Sequence, residues 1–281
     1  MSVHSSSSDS SPDATSARPV RIQDLRAMKE RGERFAMLTA YDYLSAQILE
    51  QSGIPIILVG DSLGMVMLGH ESTLPVTLDE MIHHTRAVRR GAPTRLVIAD
   101  MPFGTFQGGP EQALANATRV MKETGATGVK IEGGGDMVAV TARLVDSGIP
   151  VLAHLGLTPQ SVNQFGGYRV QGRDDEAADA MVEDARRHQD AGAFAIVLEA
   201  IPAALGQRVT DAVDVPTIGI GAGPDTDAQV LVWHDLLGLT GGRLPRFVKQ
   251  YANLRSEITS AVKTFMHEVA DGEYPGDEHV Y

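Results

Sequence analysis

The chain has no cysteine. That excludes disulfides, thiolate metal ligands and a cysteine nucleophile, and it accords with a reducing compartment. Basic clusters are missing too: 24 Lys and Arg stand against 36 Asp and Glu, for a net charge of −12. A polymer this acidic is a poor ligand for nucleic acid or for an anionic membrane surface. No run of about eighteen apolar residues occurs, so no segment is built to span a bilayer. The interior shows no repeat and no linker-like tract. What is present is an ordinary globular composition, 43% hydrophobic and 21% charged over 281 residues. The length suits one barrel-sized domain or two smaller ones, and it is ample for a full core.

Residues 1–19, MSVHSSSSDSSPDATSARP, are Ser-rich and lack the apolar stretch of a secretory signal. They hold too little apolar surface to offset the entropy of ordering and are expected to be disordered. Residues 20–281 are expected to form one domain. Short runs of Val, Ile, Leu and Ala predict strands near Phe35–Tyr41, Pro55–Gly60, Arg95–Ala99, Gly128–Glu132, Pro150–His154, Ala193–Glu199 and Val215–Ile220, with an eighth near Leu231–Leu237. Runs apolar on both faces suit a parallel sheet covered by helices. Between them, Thr77-Leu-Asp-Glu80 has the form of a capping box. Pro110 suits the first turn of the next helix. Ala113, Leu114, Ala117, Val120 and Met121 share one helical face, as do Ala178, Met181, Val182 and Ala185. The alternation predicts an α/β fold, a (β/α)8 TIM barrel, with an open doubly wound sheet as the alternative.

The ends of these strands carry the chemistry. Asp61 and Ser62 follow the second, and Asp100 ends the third. Lys130 and Glu132 lie in the fourth, His154 ends the fifth, and Glu199 ends the sixth. In a barrel such ends converge on one mouth. Lys130 and Glu132 are two apart and so face the same way. Turning them inward leaves Val129 and Ile131 to pack on helices. An inward Lys beside several carboxylates marks a site, because an unpaired buried charge is costly.

Carboxylates without cysteine are hard oxygen ligands and suit Mg²⁺ better than Zn²⁺. Such an ion beside a Lys can hold a 2-oxo acid and stabilise the charge formed when a proton leaves next to the carbonyl. Glu199, between Leu198 and Ala200, is the candidate base, in apolar surroundings that favour a raised pKa. Lys130 has two readings: a protonated electrostatic group, or the amine of a Schiff base. His83 and His84 cannot both face one metal and are expected to face solvent. His234 and Asp235 form a candidate rim pair. The run from Ile218 to Gly223 reads either as a phosphate loop or as a tight turn. Residues 155–173 read as a lid hinged at Gly166 and Gly167, or as an ordered contact loop.

At these residues the chain resembles the ketopantoate hydroxymethyltransferase family. The matching motifs are TAYDY (39–43), VGDSLGM (59–65), GHESTLPVTLDEM (69–81), VKIEGG (129–134), HLGLTPQSVNQFGGYRVQGR (154–173), LEAIP (198–202), IGIGAG (218–223) and HDLLG (234–238). The resemblance implies a cytoplasmic enzyme that moves the one-carbon unit of 5,10-methylenetetrahydrofolate to 3-methyl-2-oxobutanoate. It implies Mg²⁺ held by Asp61, Asp100 and Glu132, and substrate contacts from Asp61, Ser62, Asp100, Lys130 and His154. It makes Glu199 the proton acceptor and implies a homo-oligomer, the decamer being usual in the family. The stretch Gly104–Gly109 matches the family pattern less firmly. A Mg²⁺-dependent C–C lyase or mutase of 2-oxo acids on the same barrel is the alternative.

Overall fold

Eight short strands pair in parallel, each with the next along the chain, and the last pairs with the first to close a barrel. The expected (β/α)8 architecture is the observed one, and closure removes the open-sheet alternative. The computed structural model describes residues 18–281. The Ser-rich stretch expected to be disordered therefore lies, but for its last two residues, outside the described residues.

The strands are β1 (Phe35–Thr39), β2 (Ile56–Val59), β3 (Leu96–Asp100), β4 (Gly128–Glu132), β5 (Val151–Gly156), β6 (Ala195–Glu199), β7 (Thr217–Ile220) and β8 (Ala228–Leu231). A first helix, α1 (Ile22–Glu30), precedes them. Helices α2 (Tyr43–Ser52), α3 (Leu63–Val66), α4 (Leu78–Gly91), α5 (Pro110–Thr124), α6 (Met137–Asp146), α7 (Val162–Phe165), α8 (Asp175–Asp190) and α9 (Ala203–Ala212) lie between strands. Helices α10 (Trp233–Leu236) and α11 (Leu254–Asp271) follow β8. Local chemistry sets several boundaries. Thr77 Oγ1 accepts from the Glu80 amide at 3.2 Å while the Thr77 amide donates to Glu80 Oε2 at 2.8 Å, the reciprocal cap of α4. Pro110 is the first residue of α5. Ala113, Ala117 and Val120 are buried on its inner face, with Leu114 and Met121 packed against them.

The eighth strand is displaced from its predicted position. It ends where the prediction began, and Trp233–Leu236 is helical. The strand alternates buried Ala228 and Val230 with exposed Gln229, so it shows no aliphatic run. Thr39 Oγ1 accepts the Trp233 amide at 2.9 Å and fixes the start of the helix.

Alternation divides each strand between two environments. Ile57 and Val59 face α2 and α4, and Val129 and Ile131 face α5 and α6. Met37, Ile56, Leu58, Leu96, Ile98, Leu152, Val197, Ile218 and Val230 fill the lumen as one cluster. Leu25 of α1, fully buried, joins that cluster. Lys29, at the end of α1, donates to the carbonyls of Thr210, Val213 and Val215 at 3.2, 2.9 and 3.0 Å. It also meets Asp227 at 3.0 Å. These acceptors precede β7 and β8, so α1 is tied across the amino-terminal end of the barrel. Lys29→Met is expected to remove these charged hydrogen bonds and cost about 2–3 kcal/mol of unfolding free energy. A urea midpoint indistinguishable from the parent would show that the tie contributes nothing.

Candidate active site at the carboxyl ends of the strands

Continuing the same alternation upward brings the lumen's apolar filling to a polar layer. In β3, Leu96 and Ile98 are followed by Asp100; in β4, Gly128 is followed by Lys130 and Glu132. In β5, Leu152 is followed by His154, and in β6, Val197 by Glu199. The strand register sets Asp100 beside Lys130 and Glu132 beside His154. Asp61, two residues beyond β2, bends in to donate its amide to Asp100 Oδ2 at 3.0 Å.

All five of Asp61, Asp100, Lys130, Glu132 and His154 are buried. Lys130 Nζ donates to Asp100 Oδ1 and lies 3.4 Å from Glu132 Oε1. Glu132 Oε1 is 3.3 Å from His154 Nδ1, and His154 Nε2 is 3.2 Å from Glu199 Oε2. Neither contact has hydrogen-bond alignment, so both ring nitrogens of this buried His lack a true partner. Glu199 is the more open member, with 16% of its side chain exposed. The next residue, Ala200, has φ 48°, a strained turn off the strand end for a residue with a Cβ. Ser62 Oγ shares a 2.9 Å hydrogen bond with the Tyr41 hydroxyl. These groups border a cavity of about 950 Å³.

The electrostatics follow from burial and neighbours. Burial alone would lower the Lys130 pKa, but Asp100, Glu132 and Asp61 raise it well above the usual ammonium range. These neighbours favour the protonated form of Lys130, the electrostatic one of its two readings. Burial raises the Asp61 pKa well above its ordinary value, and repulsion from Asp100 and Glu132 adds to this against Lys130 and Gln160. Burial also raises Asp100, with Lys130 opposing it. Burial would raise Glu132, yet Lys130 and His154 bring it down to about 2. Burial and Lys130 would lower His154, but Glu132 and Glu199 carry it up to about 9.

Two adjacent buried carboxylates resisting ionisation form a locus short of positive charge. Their oxygens are the hard donors that Mg²⁺ takes. Among the described residues no three His, Asp or Glu side chains converge to cage a metal ion by themselves. A cation here would draw on one or two carboxylates and complete its shell from water or substrate, as Mg²⁺ does in substrate-assisted sites.

The sequence profile of ketopantoate hydroxymethyltransferase matches residues 19–277. The chain belongs to the ketopantoate hydroxymethyltransferase family. Relatives named 3-methyl-2-oxobutanoate hydroxymethyltransferase include one from Thermobifida fusca, 56% identical and covering 94% of each chain. One from Streptomyces coelicolor is 56% identical over 93% of this chain and 90% of its own. One from Carboxydothermus hydrogenoformans is 52% identical over 93% and 95%. Among solved structures, phosphonopyruvate hydrolase in complex with oxalate and Mg²⁺ superposes with a TM-score of 0.59 at 15% identity, over 93% of this chain and 92% of that one. The 2,3-dimethylmalate lyase of the PEP mutase/isocitrate lyase superfamily gives 0.59 at 18% identity, over 92% and 91%. At such identities these likenesses speak for the barrel alone.

Beside the residues expected from strand ends, the family's barrel mouth holds one that periodicity did not reveal. Gln160 is buried on the loop after β5. Its Nε2 donates to Asp61 Oδ2 and to the Met101 carbonyl, each at 2.9 Å. Its amide donates to Glu132 Oε2 at 3.0 Å, and its Oε1 accepts from Gln107 Nε2 at 2.9 Å. Only the LTPQ motif of the family resemblance could have pointed to it. His84 departs from the solvent-facing expectation: its Nδ1 meets the Tyr41 carbonyl at 2.6 Å, because α4 packs across α2. His234 is half-buried at the rim, its ring tilted 33° to that of Tyr41 with centroids 5.5 Å apart, and Asp235 is beside it on the cavity wall. Gly221 and Gly223 have φ values of 66° and 86°, the conformations of a tight turn. Residues 155–173 are partly ordered by a 3-10 turn at Pro159–Ser161 and by α7.

The linkage between His154 and stability has a definite sign. A pKa of about 9 in the folded chain, against 6.5 for a free imidazole, stabilises the fold below pH 6.5. That contribution is lost as pH rises through 9. Unfolding free energy of the metal-free protein is expected to fall by at most about 3 kcal/mol over this window, and His154→Gln should flatten the slope. An equally steep slope in the variant would assign the dependence elsewhere.

Proposed function

We propose that the chain transfers the one-carbon unit of 5,10-methylenetetrahydrofolate to 3-methyl-2-oxobutanoate, giving 2-dehydropantoate for pantothenate synthesis. The observation that supports this most is one cavity in which a carboxylate-flanked ammonium adjoins a Glu199–His154 pair at 3.2 Å. The high identity to relatives named for this reaction points the same way.

Asp61 and Asp100 would hold Mg²⁺, with Glu132 as the third carboxylate of its surroundings. When bound, the ion supplies positive charge to the carboxylate and ketone oxygens of the 2-oxo acid. Ser62 and Lys130 bind that acid from the protein side, and His154 closes the pocket beside it. Glu199 takes the proton from the branched carbon: the C–H bond breaks, and its electron pair moves toward the ketone oxygen. Lys130, fixed in its protonated form, meets the charge that develops there. The carbon then bonds to the folate methylene, whose two C–N bonds to the folate break; water supplies the hydroxyl, and the proton it sheds and the one on Glu199 complete the two N–H groups of the departing tetrahydrofolate. His154, cationic at neutral pH by its raised pKa, steadies the Glu199 carboxylate through Nε2. Gln160 keeps Asp61 and Glu132 turned into the cavity.

A cytoplasmic location and a homo-oligomer, the decamer being the size expected from the resemblance, belong to the same reading. No helix of the described residues is long and apolar enough to cross a membrane. Helix α11 buries none of its residues and exposes Ile258, Val262, Phe265, Met266 and Val269. Their spacing puts them on one face, which favours association of copies.

In D₂O with Mg²⁺ and no folate, 3-methyl-2-oxobutanoate is expected to exchange the hydrogen of its branched carbon. Glu199→Gln should slow that exchange by at least roughly a hundredfold. An undiminished rate in the variant would remove Glu199 from the role. Failure to form 2-dehydropantoate when the folate is added would sink the reaction itself.

A further inference from the structure

A five-carbon 2-oxo acid leaves most of the mouth unfilled. Next to the first cavity lies a second of about 1000 Å³. Ser62, Met65, Tyr168 and Asp235 border both, so the two are continuous. Each alone has the size of a site for a drug-sized ligand. The second chamber is therefore room for a second, larger reactant.

Its walls differ in character along their length. At the junction the exposed side chains of Tyr168 and Met65 meet, with the Tyr168 hydroxyl 3.6 Å from Met65 Sδ. They give a flat apolar wall. Beside them the half-buried Asp235 carboxylate accepts no hydrogen bond and joins no ion pair among the described residues. Buried atoms of His234 and Thr240, Nδ1 and Oγ1, also lack hydrogen-bond partners in this wall. Farther along, Arg243 lines the second chamber, and Arg246 lines the first where the same segment crosses it. Both arginines are exposed, and neither joins an ion pair among the described residues. In a chain of net charge −12, unpaired cations at a cavity mouth form a local attraction for anions.

We infer that the second chamber binds the folate co-substrate lengthwise, with Asp235 receiving the N–H donors of its aminopyrimidine ring and Arg243 and Arg246 receiving the carboxylates of its glutamyl tail. The ring lies against the Tyr168–Met65 wall, which sets it at the junction with the first cavity. A carboxylate with two free oxygens suits the adjacent amino and ring N–H groups of such a head. Guanidinium groups suit the carboxylates of the tail. The identity of this ligand rests on the reaction proposed above; the polarity of the chamber does not.

The test uses direct binding, by titration calorimetry, of tetrahydrofolate and of tetrahydropteroate, which lacks the glutamyl tail. The full-length protein should bind tetrahydrofolate more tightly. The double variant Arg243→Ala with Arg246→Ala should lose roughly tenfold for tetrahydrofolate and less than about twofold for tetrahydropteroate. Added salt should weaken tetrahydrofolate binding in the parent more than in the double variant. Asp235→Asn, which keeps shape and volume, should weaken both compounds to a similar degree. An unchanged tetrahydrofolate affinity in the double variant would overturn the assignment. So would an equal loss for both compounds, or no binding by the unaltered protein. Hydrogen exchange on the 2-oxo acid needs no folate, so its loss in the unaltered protein strikes the proposed reaction, whereas an unchanged folate affinity strikes this chamber.

Discussion

A single ammonium group, Lys130 Nζ, sits where the barrel lumen changes from apolar to polar, and much of the upper structure is arranged around it. Its burial is tolerable only because Asp100 and Glu132 stand on either side. Those carboxylates are in turn tolerable only because the ammonium is present. Removing one partner would strand the other in a low-dielectric space, at a cost of about 3–5 kcal/mol. The cluster still carries a surplus of negative charge, visible in the raised pKa values of Asp61 and Asp100. In the reaction proposed above, a divalent cation would relieve that surplus, and the ion together with Lys130 would attract an anionic substrate.

Period-two alternation sets this arrangement on a rigid base. Strands β3, β5 and β6 each contribute lower lumen residues to one apolar cluster and an upper lumen residue to the polar layer, to which β4 adds Lys130 and Glu132. Side-chain direction in the polar layer thus follows from the packing below it: a register slip would drive Lys130 and Glu132 into the helices. The amino-terminal end is tied by α1, through Leu25 and Lys29. The tie of α1 and the polar layer thus lie at opposite ends of the barrel.

What could be read from the residues alone tracks how locally each feature is encoded. Asp100, Lys130, Glu132, His154 and Glu199 were legible because strand position and period two are local properties. The aliphatic strands β2 to β7 were legible for the same reason. The eighth strand was not, because Gln229 interrupts its apolar pattern and the more apolar run after it forms a helical turn. His84 was misread because its partner is a backbone carbonyl of a distant segment, which has no sequence signature. Gln160 escaped because it lies in a single 3-10 turn, too short for either period to show. Its four hydrogen bonds reach three separate segments that only the closed barrel brings together.

The two carboxyl systems of the mouth differ in their charge compensation. Asp100 and Glu132 share a lysine, whose raised pKa favours its protonated form. Glu199 faces His154, whose pKa is carried up to about 9, so that its ring is cationic at neutral pH. In the reaction proposed above, a proton taken up at Glu199 would have this ring 3.2 Å away, while charge developing on a substrate oxygen would meet Lys130. His154 touches both systems through its two ring nitrogens, so it reports the charge of each to the other. The order Asp100, Lys130, Glu132, His154, Glu199 around the rim is an unbroken alternation of acidic and basic groups, each no more than 3.4 Å from the next.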